Sequence, residues 1–371
     1  MGLLLAKIGI ARNTWNEQNT QILSTLRSTD YICEKHDISY FPEPVQHELT
    51  HERFREHNVH FDVDGRNISV LIVSHDSHSS SAIHEMVCKI YTWLLVVSDY
   101  ADRACSTTLM IRMYMTTQTK CLPNIETIEI DREHVNSAYT YACKTDNIIH
   151  VYRKEEWFKV FIHETFHAFG LDFAKQDNSQ VEQYMQSVFH TNNNIRCYES
   201  YCEFWATIIN TVFIAYLNTP YENTVVNWEK NVMKTAGIML ERERMFSTYQ
   251  CSKILAHYQM SYDQLFRDFV SDMPITTNIY RENTPVLSYH FIKACLMWNM
   301  DKVIQWCADA NHYSIKFNDD KHNYERVAND FCRYIHKFLR DPVFMQCLQD
   351  IPSPMNMVGE IDATMRMTIY G

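Results

Sequence analysis

Short apolar runs alternate with helical periodicities in the first half of the chain. Residues 67–77, 107–116 and 147–153 are rich in β-branched and apolar side chains, a pattern that predicts strands. The apolar spacing over residues 82–100 predicts a helix after the first strand, and a further helix is predicted to begin at about Lys154. This part of the chain is therefore expected to mix strands with helices.

Beyond residue 175 the pattern becomes almost entirely helical. Apolar residues recur at intervals of three and four, which is typical of amphipathic helices. We predict a mixed lobe over residues 66–175 and a helical lobe over residues 176–371, joined between Phe173 and Asn178. The predicted helices of the second lobe lie near residues 178–190, 197–217, 224–257, 262–272, 286–310, 323–340 and 343–350.

Residues 1–65 show no sustained periodicity, and the sequence assigns them only to an N-terminal extension or lobe. Within them, the apolar run at residues 1–11 predicts a strand or a buried terminus, because it is too short to span a bilayer. The apolar run at residues 206–217 is also too short for that. No membrane span is therefore expected.

Composition narrows the fold class and the possible partners. Only 7 of the 371 residues are glycine and 46% are hydrophobic, which favours a globular, predominantly helical protein of the α+β class. The formal net charge of −11, without a cluster of lysine and arginine, argues against nucleic acid as a partner. The 12 cysteines include no Cys-x-x-Cys pair and follow no secretory signal, so reduced cysteines in an intracellular protein are expected.

The clearest chemical pattern is the stretch FIHETFHAFGLDF, residues 161–173. It lies on the helix predicted from Lys154, and Gly170 stands where a left-handed C-terminal cap is expected. The apolar residues of this helix recur on one face, which suits burial. They are Phe158, Ile162, Phe166 and Phe169.

A second face of the same helix carries groups that can bind a metal ion. His163 and His167 are four residues apart, so their imidazoles project together and can bind one ion. Zinc suits two imidazoles and one further protein ligand, and the open fourth position then holds a water whose pKa the ion lowers. Glu164 would take a proton from that water and return it to the leaving amine.

The third ligand is expected from a later helix. Phe173 occupies the position where a metzincin would have its third histidine, so that class is excluded. The predicted helix at 197–217 offers Glu199 and Glu203, four residues apart on one face. One would bind zinc and the other would hydrogen-bond a ligating imidazole.

Both assignments of the two glutamates stay open. Glutamate-ligand zincins often have a small residue three positions after the ligand and an acidic residue four positions after it, and Glu199 with Cys202 and Glu203 resembles this layout, so Glu199 is preferred. Glu203 with the small Ala206 resembles other members of that class.

The strings HETFHAF and ESYCEFWA together resemble the gluzincin group of zinc metallopeptidases. Over about residues 136–217 the chain resembles the predicted metallopeptidases of nucleocytoplasmic large DNA viruses. The resemblance implies a zincin-like fold, in which a small sheet packs on the active-site helix, and a peptide substrate along the edge strand, for which strand 147–153 is our candidate. It also implies the host cytoplasm or the virion interior as the compartment.

A peptidase of this kind also needs a donor for the oxyanion of the tetrahedral intermediate. In gluzincins a Tyr or His well after the glutamate helix often has this role, and Tyr289 and His290 lie in a suitable part of this chain. The expected function is zinc-dependent peptide-bond hydrolysis of a protein or peptide. Two alternatives remain open: a catalytically silent structural or scaffold protein of a virion, and a hydrolase of a non-peptide amide.

Overall fold

The computed structural model is of the α+β class, as the sequence predicts, and it contains one mixed six-stranded sheet. It describes residues 1–75, 78–123, 129–191, 193–221, 224–266, 280–350 and 363–371. The strands are β1 (Arg27–Asp30), β2 (Phe54–Val63), β3 (Arg66–His75), β4 (Thr108–Tyr114), β5 (Ala138–Thr140) and β6 (Asp146–Val151). Their order across the sheet is β1-β2-β3-β4-β6-β5.

The centre of the sheet is parallel and both of its sides are antiparallel. β3, β4 and β6 run in the same direction, with Ile68 opposite Leu109 and Leu109 opposite Asn147. Alternate residues of β3 and β4, such as Ile68, Val70 and Ile111, are fully buried, whereas several of the residues between them are exposed or only partly buried. β1 and β2 on one side, and β5 on the other, pair antiparallel with their neighbours.

Helices account for most of the remaining described residues. They are α1 (Gly2–Ser24), α2 (Glu43–His51), α3 (Ser80–Ser98), α4 (Arg132–Val135), α5 (Trp157–Ala168), α6 (Ser179–Val188), α7 (Cys197–Asn218), α8 (Val225–His257), α9 (Lys293–Trp298), α10 (Met300–Ala310), α11 (Tyr324–Leu339) and α12 (Pro342–Asp350). A 3₁₀ helix spans Tyr262–Leu265 and a π-helix spans Leu287–Ile292. No helix in the described part of the chain is long and apolar enough to cross a membrane.

Most predicted helices are confirmed within a few residues. The segment predicted as one helix at 286–310 is divided into the π-helix, α9 and α10. The helix predicted at 262–272 is only a 3₁₀ turn up to Leu265, and its residues from 267 onward lie outside the described residues.

Of the two alternatives for residues 1–11, the strand was wrong, because this run belongs to helix α1, whereas the burial of several of its apolar side chains is confirmed. Leu4, Ile8 and Ala11 of this helix are buried, and they follow the helical spacing of three and four residues. In a short run that is mostly apolar, this spacing cannot be told apart from the pattern of a buried strand. α1 packs against α3 and α7. The first 65 residues also supply β1 and β2, and β2 pairs with β3 over its whole length.

The prediction that strand 147–153 forms the sheet edge was also wrong. β6 lies between β4 and β5, with Ala138 opposite Val151 and Thr140 opposite Ile149. β5 is therefore the edge strand on this side. Three residues without strong alternation of apolar and polar character gave no strand signal.

The C-terminal end of α5 is fixed by tight packing. Gly170 adopts the left-handed conformation with φ +68°, as predicted, and a Cβ atom there would lie 3.1 Å from Sγ of Cys105. Cys105 and Cys143 form a disulfide, so the expectation of reduced cysteines was wrong for this pair. The amide of Cys143 donates to the carbonyl of His167 at 2.9 Å, which ties the disulfide loop to the last turn of α5.

Candidate metal centre

Two adjacent helices position the predicted metal-binding residues. α5 lies between the sheet and α7, and it packs against β5, β6 and α7. His163 and His167 leave the face of α5 that meets α7, and Glu199 leaves the first turn of α7 opposite them. All three side chains are about nine-tenths buried or more. The structure therefore brings together residues that are more than thirty positions apart in the sequence.

The three side chains form a nearly equilateral triangle of possible ligand atoms. Nε2 of His163 lies 3.1 Å from Nε2 of His167, and these two atoms lie 3.2 and 3.3 Å from Oε2 of Glu199. Ligands placed about 2.0–2.1 Å from a tetrahedral zinc ion are about 3.3 Å apart. Oε2 of Glu199 is buried and makes no well-formed hydrogen bond within the described part of the chain. The donor set and its spacing fit a zinc ion.

Each imidazole is oriented by a carboxylate on its other ring nitrogen. Nδ1 of His163 lies 2.9 Å from Oε1 of Glu203, and Nδ1 of His167 contacts Oδ2 of Asp172. Such contacts turn Nε2 toward the metal and raise the basicity of the ring. The structure thus places Glu203 beside His163 and outside the triangle that contains Glu199.

The carboxylate of Glu203 is itself paired. Its Oε2 contacts the ammonium of Lys159, one turn before His163 on α5, and both side chains are buried. Lys159 and His163 hold the pKa of Glu203 well below its usual range, against the effect of burial. Burial lowers the pKa of His163, but Glu203 and Glu199 outweigh it and raise that pKa to about 9. Without a metal ion the centre is thus a network of charged pairs.

Glu164 lies beside the triangle at a small cavity of about 40 Å³. The cavity is also lined by His163 and by Tyr289. Burial is the largest cause of a raised pKa for the Glu164 carboxyl group. The carboxylate therefore has the place and the proton affinity that suit a general base next to a metal-bound water.

The structure separates the two candidate oxyanion donors. Tyr289 faces the cavity, and its ring centroid lies 6.2 Å from that of His163. His290 is buried and does not line the cavity, and burial together with Lys120 and Lys293 lowers its pKa. Both belong to the π-helix, a conformation frequent at functional sites. Of the two, only Tyr289 lies at the cavity.

Sequence reasoning missed four residues of this centre. Asp172 was not predicted, although an acidic side chain two residues after the left-handed Gly170 can reach back to His167. Lys159 could have been identified from the sequence, since it lies four residues before His163 and therefore on the same face of the helix. Lys120 and Met367 line the cavity from distant parts of the sequence, so no local pattern could identify them.

A second group of possible ligands overlaps the first. His167, Asp172 and Cys202 also lie close enough to hold an ion, through Nδ1 of His167. Cys202 is 3.4 Å from Oδ2 of Asp172, and burial raises its pKa well above the usual value of a thiol. A protonated thiol that donates to Asp172 explains this contact without an ion.

The chain matches no protein-family model, no curated protein and no solved structure.

Proposed function

We propose that this protein is a zinc-dependent metallopeptidase with a zincin-like arrangement of sheet, α5 and α7. The observation that carries the proposal is the triangle of His163, His167 and Glu199, whose sides of 3.1–3.3 Å fit tetrahedral zinc. Glu164 beside it supports catalysis over a purely structural site, since a structural ion has no use for a carboxylate at its open side.

Glu164 and Tyr289 would have different roles in the reaction. When bound, the zinc ion polarises the scissile carbonyl and the attacking water. Glu164 accepts a proton from the water and passes it to the leaving amine. Tyr289 donates a hydrogen bond from its hydroxyl group to the developing oxyanion. Burial, with Glu199 and Glu164 nearby, raises the pKa of this hydroxyl group and keeps it protonated.

An extended peptide would bind along the sheet edge. β5 is the edge strand on this side, and its first residue Ala138 lines the cavity together with Asn136 and Ser137, which precede the strand. The backbone groups of an edge strand can pair with an added strand, and the cavity then receives the group next to the scissile bond. We therefore expect the substrate to pair with β5 and not with β6, which lies between β4 and β5.

Metal content and hydrolysis test the proposal together. Purified wild type should contain about one zinc per chain by elemental mass spectrometry, and H167A and E199A should lose it. E164Q should keep the zinc but lose cleavage of a mixed peptide library, which makes it the matched control for contaminating proteases. Zinc without cleavage would favour a structural protein, and no zinc after reconstitution would refute the metal centre.

A further inference from the structure

Two buried lysines line the cavity beside the metal centre. Lys120 and Lys159 are each 1% exposed. An ammonium group has three donors, yet within the described part of the chain the side chain of Lys120 contacts only Glu156. The ammonium of Lys159 contacts Glu203 and, at 3.6 Å, the sulfur of Met367. Both ammonium groups therefore have donors left over at the cavity.

A third polar group with no partner lies at the same cavity. Oγ of Ser137 is buried and has no hydrogen-bond partner within the described residues. Leaving buried donors without acceptors is costly, so their convergence on one small space calls for an acceptor there. The cavity, at about 40 Å³, has room for a group the size of a carboxylate but not for a large side chain.

We infer that this cavity is a carboxylate-binding subsite formed by Lys120, Lys159 and Ser137. Each ammonium group already pairs with one glutamate, but its remaining donors bind a charged oxygen acceptor more strongly than a neutral carbonyl, because hydrogen bonds between charged groups are the stronger ones. The inference rests on the proposed function. Since His163 and Glu164 line the same cavity, the carboxylate belongs to the residue next to the scissile bond.

Two kinds of substrate present a carboxylate at that place. One is the free C-terminus of a peptide, in which case the enzyme removes the last residue. The other is an aspartate side chain next to the cleaved bond, in which case the enzyme cuts within a chain. Both use the same recognition chemistry, and the small volume restricts either to a compact residue.

A pair of small ligands tests the subsite without relying on hydrolysis. Succinic acid monohydroxamate carries a metal-binding hydroxamate and a carboxylate two carbons away, and its amide analogue differs only in that carboxylate. Calorimetric titration of the zinc-loaded full chain should show binding of the acid at least about tenfold tighter than of the amide, the factor that a charge-assisted hydrogen bond supplies.

Variants then locate the source of the preference. K120M combined with E156Q removes a buried ion pair without leaving a lone charge, and it should reduce the preference more than S137A does, because Lys159 remains. K89M, which alters a lysine on the surface of α3, is the control and should keep it. An undiminished preference in the double variant, or equal binding of both ligands by the wild type, overturns the subsite.

Further measurements show which carboxylate the subsite binds, and they distinguish failure of the subsite from failure of the proposed function. Peptides with a free or an amidated C-terminus, and peptides with aspartate or asparagine after the scissile bond, show which carboxylate is used. Preference for the acid in either pair supports the subsite, and preference in neither overturns it. Failure to bind zinc at all overturns the proposed function and the subsite with it, whereas zinc binding with equal ligand affinities overturns the subsite alone.

Discussion

Lys159 should stabilise the centre through its pairing with Glu203. Both side chains are buried, at 1% and 4% exposed, and Oε1 of Glu203 lies 2.9 Å from Nδ1 of His163. K159M keeps the length and the apolar stem of the side chain but removes the charge that faces Glu203. Breaking a buried ion pair costs about 3–5 kcal/mol, and His163 remains as one partner, so we expect a loss near 3 kcal/mol in the free energy of unfolding.

Urea unfolding of the metal-free protein measures this loss. EDTA keeps zinc out of both states, and tryptophan fluorescence and far-ultraviolet circular dichroism should follow the same transition. K89M is the matched control, because Lys89 pairs with Glu85 on the helix surface at 2.8 Å, and it should cost about 0.5 kcal/mol or less. Adding E203Q to K159M should recover part of the loss, since no unpaired charge then remains.

The result that refutes this reasoning is a small effect. If K159M and K89M cost the same, below about 1 kcal/mol, the charge on Lys159 does not stabilise Glu203. If E203Q makes K159M still less stable, the loss comes from packing and not from an unpaired carboxylate.

Three further predictions concern the orienting carboxylates, a buried histidine of β6 and the glycine that ends α5. E203Q and D172N should each lower the affinity for zinc about 10–100-fold in a competitive chelator titration, while the stoichiometry stays at one ion per chain. An unchanged affinity would contradict the role of Glu203 and Asp172 in orienting the imidazoles. Burial lowers the pKa of His150 from 6.5 to about 4. The free energy of unfolding should therefore fall by up to about 3 kcal/mol as the pH decreases through that interval, because the unfolded state binds the proton more readily. If H150F shows the same pH dependence of stability as the wild type, His150 is not the cause. G170A should lower the free energy of unfolding by about 1–2 kcal/mol, because φ is +68° and the new Cβ would meet Sγ of Cys105. A midpoint of thermal unfolding equal to that of the wild type would contradict this prediction.

The sequence predicted the parts of the centre that depend on helical periodicity. A spacing of four on α5 and again on α7 places each pair on one face whatever the fold, so His163, His167 and Glu199 could be chosen from the sequence. The roles of Glu199 and Glu203 could not be separated in that way. They depend on where α7 meets α5, which is a property of packing.

The rest of the site depends on contacts between distant segments. Lys120 precedes β5, Lys159 lies on α5, and Met367 comes near the end of the chain, yet all three line one cavity. Short elements were missed for a different reason. β5 has three residues, which is too few for a strand pattern, although it forms the edge beside the site.

The most direct test of the account is X-ray absorption spectroscopy of the zinc-loaded full chain at the zinc edge. The account predicts two imidazole ligands and oxygen ligands at about 2.0–2.1 Å, with zinc binding lost in H163A and one oxygen ligand altered in E199Q. A sulfur ligand at about 2.3 Å would instead place the ion at Cys202, and it would contradict the triangle of His163, His167 and Glu199 as the metal centre.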